Sequence, residues 1–162
     1  HPNEAKGTRD GLQALEIVKQ KHPELQAVFF GTEARLEVIP EWISYERQPT
    51  TAGLVDLYNR CRIFLNPSWS EGWGLPAAEA MACGCALVSA DNGGVNEFGV
   101  DGESAFIVPV KRPELLADGM LKLIDDDELR QRIAVAGYRG IQRFTWERAV
   151  NSMIEVVSAA AN

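Results

Sequence analysis

Short apolar runs alternate with helical patterns along this chain, and that alternation restricts the fold more than any other feature. Gln26–Phe30, Ile63–Leu65, Ala86–Ser89 and Ala105–Val108 are too short for helices and are punctuated by Gly, Asn or Pro, so they read as buried strands. Trp42–Tyr45 alternates weakly and joins them as a further strand. Leu12, Leu15, Ile17 and Val18 form a helical stripe that Lys21-His22-Pro23 closes, with Thr8 or Asp10 as its expected cap. Thr32–Pro40 reads as loop, and a second helix runs from Pro49-Thr50-Thr51 through Leu54, Leu57 and Tyr58 to Cys61. Ala77–Cys83 is a third, stopped by Gly84; a short helical piece is expected near Asn96–Val100. Pro113–Ile124, Glu128–Phe144 and Trp146–Ala160 complete the set. Strands alternating with helices imply a parallel sheet covered on both faces, a Rossmann-like α/β domain of three layers. With 162 residues the chain is long enough for one such domain, burying about 70% of its unfolded surface.

Parallel sheets of this kind bind ligands beyond the carboxyl ends of their strands. The chain leaving the Ile63 strand reaches that edge as SWSEGWGLPAAEAMACG, Ser68 to Gly84. Gly72 and Gly74 let a ligand approach the main chain closely, and Pro76 suits the first helical position. The unpaired N–H groups of that helix start, with the helix dipole, favour negative charge. Glu71 precedes the helix and Glu79 lies one turn inside it, so two carboxylates can converge on one pocket. Amides that take a phosphate and carboxylates that accept from vicinal hydroxyls suit a phosphate flanked by hydroxylated rings. The competing reading is a plain loop-to-helix turn with solvated glutamates, and spacing alone does not choose between them.

Composition narrows the alternatives. A net charge of −7 without a basic stripe argues against nucleic acid as a partner. Cys61, Cys83 and Cys85 lack the paired spacing of a zinc site; a reactive Cys83/Cys85 pair competes with the reading of small buried thiols, which is favoured. A reducing, cytoplasmic setting follows, since no apolar run approaches the roughly 20 residues of a membrane span and no signal peptide is visible. A hydrolase is poorly supported, with His1 and His22 the only histidines and no Gly-x-Ser-x-Gly elbow. A nicotinamide enzyme would want a Gly-x-Gly-x-x-Gly turn after the first strand, which is missing.

EGWGLPAAEAMACG resembles the signature segment of the family 4 retaining glycosyltransferases, enzymes of the GT-B fold that use nucleotide sugars. LYNRCRIFLNPS, ALVSADNGGVNE, DGESAFIVPVKRPELLADGMLKLIDDDELRQRI and RFTWERAV extend the likeness, in order, over nearly the whole chain. The resemblance implies that residues 1–162 are the C-terminal, donor-binding half, with the N-terminal acceptor domain absent from this chain. The absence of an initial methionine ahead of His1 fits a fragment. The resemblance puts the sugar on Glu71, the ribose hydroxyls on Glu79, and the sugar and distal phosphate on amides around Gly72, Trp73, Gly74 and Leu75. Asn92, Gly93 and Gly94 would face the same pocket, with Glu97 either joining them or capping a helix. Lys6, directly before Gly7, matches the diphosphate lysine; the usual arginine counts back to His1, so histidine stands in or Arg9 takes over.

The implied activity is metal-independent, retaining glycosyl transfer from a UDP- or GDP-sugar, with no cofactor beyond that substrate. An isolated half would be inactive, and peripheral membrane contact through the other half is compatible with the likeness. The rival is a non-catalytic nucleotide-sugar-binding or regulatory module of the same fold. Four smaller expectations remain. Asp125-Asp126-Asp127 reads as helix capping rather than a metal site; Trp73 reads as packing, with Trp69 open; Arg47 and Gln48 border the base. The last helix carries Ala149, Val150, Met153, Ile154, Val156 and Val157 over more than one face, so an apolar patch should be left exposed or covered by another copy.

Overall fold

A computed structural model describes residues 4–160, so His1 and the expectation attached to it lie outside the described residues. In chain order the elements are α1 (Thr8–Lys21), β1 (Ala27–Gly31), β2 (Ile43–Arg47), α2 (Thr51–Arg60), β3 (Ile63–Asn66), α3 (Leu75–Ala82), β4 (Ala86–Ala90), β5 (Ala105–Val108), α4 (Pro113–Asp125), α5 (Asp127–Ile141) and α6 (Trp146–Ala160). Short 3-10 turns occupy Glu4–Lys6 and Gly94–Glu97.

Every strand pairing is parallel. β4 lies between β3 and β5, with Ile63 opposite Ala86 and Leu87 opposite Ala105. All of β4 is buried, as a strand covered on both faces must be. Its residues alternate between two cores. Ala86 and Val88 meet Leu12 and Val18 of α1 and Leu116 and Met120 of α4. Leu87 meets Ala77 and Met81 of α3 and Ile141 of α5. That division makes the three layers of a Rossmann-like domain.

Among the described residues, hydrogen bonding divides the expected sheet into two pieces, because β1 pairs only with β2. Aromatic packing closes the seam. The Phe30 ring of β1 lies 6.4 Å from Phe64 of β3, and Tyr58 of α2 packs edge-on against both at 5.9 and 5.8 Å.

Several boundaries differ from the sequence reading, and three of them have a visible physical reason. Gly7, rather than Thr8 or Asp10, stands at the cap of α1. Its φ of 61° and its approach to Pro67, whose carbonyl oxygen would lie 2.0 Å from an added Cβ, admit only glycine. The 3-10 turn begins at Gly94, because the buried Asn92 side chain accepts from Val95 N–H at 3.0 Å and starts the turn early. α5 stops at Ile141 instead of Phe144, whose ring turns back onto Trp73 at 5.3 Å. Asp126 caps α5 through Leu129 N–H at 2.8 Å and Asp127 pairs with Arg130 at 2.6 Å within the first turn, whereas Asp125 reaches across to His22 at the end of α1 at 2.9 Å, so the capping rests on Asp126.

α6 buries none of its residues. Trp146 is 87% exposed and Met153 64%, and Val150, Ile154 and Val157 are exposed with them, so the expected apolar patch is present. No helix among the described residues is long and apolar enough to cross a membrane.

Candidate functional site

The site grows from the carboxyl edge of β3. Asn66 and Ser68 are buried there, and Ser68 N–H reaches the Asn66 side chain at 3.4 Å, starting the loop that ends at Gly74. Two neighbouring segments clamp this loop. Trp69 N–H donates to the Ala5 carbonyl at 2.7 Å, and the Trp69 indole donates to Asp10 at 2.7 Å. Glu71 N–H donates to the Asn92 carbonyl at 3.0 Å, bridging Glu71 to Gly93 in the loop after β4. Gly94 completes that contact: an added Cβ there would meet the Trp73 backbone at 2.6 Å.

The clamp delivers a cation to a carboxylate. Lys6 Nζ lies 2.9 and 3.2 Å from the two oxygens of Glu71, with the side chains 41% and 18% exposed. Lys6 is thus the cation that the structure sets on Glu71. Arg9 is exposed in the first turn of α1 and joins no ion pair among the described residues.

α3 opens four residues after Glu71. Gly74 caps it, and the Gly74 carbonyl accepts from Ala77 and Ala78 N–H at 3.0 and 3.1 Å. Pro76 carries no N–H, which leaves Leu75 to present the amide of the first turn. The Leu75 side chain is 62% exposed, an apolar group standing at the surface beside a helix start. Gly72 is exposed with nothing within 4 Å of an added Cβ, so its backbone faces open space. Glu79 is exposed one turn further on, about 6 Å along the axis at 1.5 Å per residue. Its Oε2 accepts a hydrogen bond from the Tyr58 hydroxyl at 3.1 Å.

The remaining sequence candidates divide by role. Asn92 is buried and spends its side-chain oxygen on the Val95 cap, and Gly94 is buried against Trp73, so both shape the loop; Gly93 is exposed beside Glu71. Trp73 packs edge-on against Phe98 at 5.2 Å and against Phe144, which agrees with a packing role. Trp69, left open by sequence, staples the loop to α1, with the Lys111 ammonium 4.4 Å over its ring. Arg47 and Gln48 both reach the Thr32 carbonyl, at 3.4 and 3.2 Å, tying β2 to the segment after β1.

Cys85 is buried and donates to the Tyr58 and Cys61 carbonyls at 3.2 Å; burial first, then its thiol neighbours, pushes its pKa up to about 12. It is a structural thiol. Two concavities of about 400 Å³ lie elsewhere, one lined by Glu46, Asp56 and Arg60, the other by Lys21, Asp118 and Lys122. The first is spanned by an exposed Arg60–Glu46 pair, and neither brings an amide row to paired carboxylates. Sequence reasoning missed Tyr58, which its helical spacing marked only as core. A phenol buried in a core needs a hydrogen-bond partner, and that was the available signal.

A three-layer α/β domain of parallel strands, with one glutamate before and one within the helix that follows β3, matches the C-terminal domain of GT-B glycosyltransferases. Residues 3–140 match the glycosyl transferases group 1 model, and the chain belongs to that family. It is 37% identical over 108 residues to a D-inositol 3-phosphate glycosyltransferase of Corynebacterium diphtheriae, covering 67% of this chain and 25% of the relative. It is 28% identical over 167 residues to a phosphatidyl-myo-inositol mannosyltransferase of Mycobacterium tuberculosis, covering 96% of this chain and 44% of the relative. The chain therefore spans less than half the length of these curated relatives. Among solved structures, the C-terminal domain of the group 1 protein LpcC from Francisella tularensis superposes with a TM-score of 0.77 at 29% identity, over 87% of this chain and 80% of that one. Anabaena Alr3699/HepE in complex with UDP-glucose shares the fold with a TM-score of 0.82 at 22% identity, over 97% of this chain and 46% of that one.

Proposed function

We propose that this domain binds a nucleoside diphosphate sugar at the start of α3 and serves retaining, metal-independent transfer of the sugar, as in family 4 glycosyltransferases. The observation that carries the reading is Lys6 held on Glu71, in the loop that leads into α3. An ammonium has three donors, so Lys6 can keep Glu71 and still take a phosphate oxygen. Negative charge grows on the leaving diphosphate as the glycosidic bond breaks. The Lys6 ammonium and the Leu75 amide are preorganised donors for that charge, and such donors act by electrostatic stabilisation. Glu71 accepts from a sugar hydroxyl and so orients the reacting carbon, while exposed Glu79 accepts from the vicinal hydroxyls of the ribose.

UDP is the first nucleotide to test, given the UDP-glucose complex of the HepE structure. The acceptor belongs to a further, N-terminal domain of the whole protein, which by this reading is cytoplasmic. A single wall cannot exclude water, so the domain alone binds weakly and turns over nothing.

Calorimetric titration with UDP, GDP and ADP tests the reading. Lys6→Ala and Glu79→Ala should each weaken binding by about tenfold or more, the scale of a hydrogen bond to a charged group. Unchanged affinity in both variants would remove the proposed site. In the whole protein, Glu71→Gln should lower turnover strongly while leaving nucleotide affinity near wild type.

A further inference from the structure

Glu79 stands exposed on a short helix, where its neighbours one turn away are Leu75, Pro76, Ala82 and Cys83, and none of these donates to its carboxylate among the described residues. A free glutamate side chain has considerable rotamer freedom to lose when it takes hold of a ligand. Tyr58 supplies the restraint from another element. It sits near the end of α2, 3% exposed, and its hydroxyl donates to Glu79 Oε2 at 3.1 Å. Its ring is fixed between Phe30 and Phe64, with interplanar angles of 82° and 73°. Its carbonyl accepts from Cys61 N–H at 3.1 Å and from the Cys85 thiol at 3.2 Å, which anchors the backbone beneath the ring. The donor is therefore held by packing, whereas the acceptor stands at the surface.

We propose that Tyr58 is a positioning residue that sets the Glu79 carboxylate for the 2′- and 3′-hydroxyls of the nucleotide ribose, a role that rests on the assignment of Glu79 above. A carboxylate offers about four lone-pair directions, and Tyr58 occupies one on Oε2. Oε1 and the rest of Oε2 remain for two hydroxyl donors. Burial, and then the charge of Glu79, holds the Tyr58 phenol well above its ordinary pKa, so it stays a donor at neutral pH.

Tyr58→Phe keeps the ring and removes the donor. UDP and GDP, each beside its 2′,3′-dideoxy form, are titrated into wild type, Tyr58→Phe and Glu79→Ala, with a thermal melt of each protein. With the tighter-binding nucleotide, Tyr58→Phe should raise Kd about tenfold, the scale of one hydrogen bond to a charged group, and change Kd for the dideoxy form less than about twofold. The melts should superpose. Equal losses with the ribo and dideoxy forms would make Tyr58 a general structural residue and overturn the proposal. So would an unchanged ribonucleotide Kd in Tyr58→Phe while Glu79→Ala weakens it. If wild type binds neither nucleotide, or Glu79→Ala binds as wild type does, the assignment of Glu79 itself fails and Tyr58 falls with it.

Discussion

Gly94 and Gly72 stand in one site and answer to different constraints. A Cβ at Gly94 would press on the Trp73 backbone, with the carbonyl oxygen at 2.6 Å and the carbonyl carbon at 2.7 Å. Backbone cannot swing aside as a side chain can, so Gly94→Ala should destabilise the fold by about 1–3 kcal/mol. At about 2–4 °C per kcal/mol for a domain of this size, the melting temperature falls by several degrees. Gly72→Ala meets open space and should stay within about 0.5 kcal/mol of wild type. If Gly72 lets the ligand reach the main chain, this second substitution loses nucleotide affinity instead of stability. Melts and titrations of both variants separate the two roles, and a stable Gly94→Ala would contradict the steric argument. In the sequence, Glu71 and Glu79 stand out as carboxylates around a helix start, and the family resemblance adds Lys6 to them. The Lys6–Glu71 pair and the Tyr58–Glu79 bond were not legible there, because each joins elements far apart in sequence.

Helices are decided largely by their ends, and Asp126 shows how far local chemistry carries. Its carboxylate accepts from Leu129 N–H at the start of α5, satisfying one of the amides that a helix leaves unpaired. Asp126→Ala should cost about 1 kcal/mol, the usual value of a cap, and lower the melting temperature by a few degrees. Asp126→Asn, which keeps the acceptor, should restore most of it, whereas a metal role would lose its charge in both variants. Such junctions could be read from sequence because donor and acceptor are three residues apart. The strands were legible for a similar reason, as short apolar runs between breakers. The seam between β1 and β3 was not, since it rests on Phe30, Phe64 and Tyr58 meeting from three elements. Gly7 was passed over as the cap of α1 because its clash partner, Pro67, is distant in the chain.

At the scale of the molecule, stability and exposure are unevenly distributed. Burial raises the Cys85 thiol from 9.0 to about 12 and also raises Tyr58 above its ordinary 10.0, so the unfolded chain gives up these protons first. Stability should therefore be flat with respect to these groups below pH 9.0 and fall as pH rises from there toward about 12. Denaturant melts across that range should show a shallower decline in Cys85→Ala. The opposite extreme is α6, whose residues are all exposed and which adds nothing to either core. Its apolar face, from Trp146 through Val150, Met153 and Ile154 to Val157, is large for a surface that faces only water. Ending the chain after Thr145 keeps Phe144 on Trp73 and removes that face. The shortened protein should melt within about 1 °C of the original, since no packed side chain is lost, and should bind less of a dye that reports exposed apolar surface. A fall of several degrees would mean that α6 packs on the domain in solution, contrary to the exposure of every one of its residues.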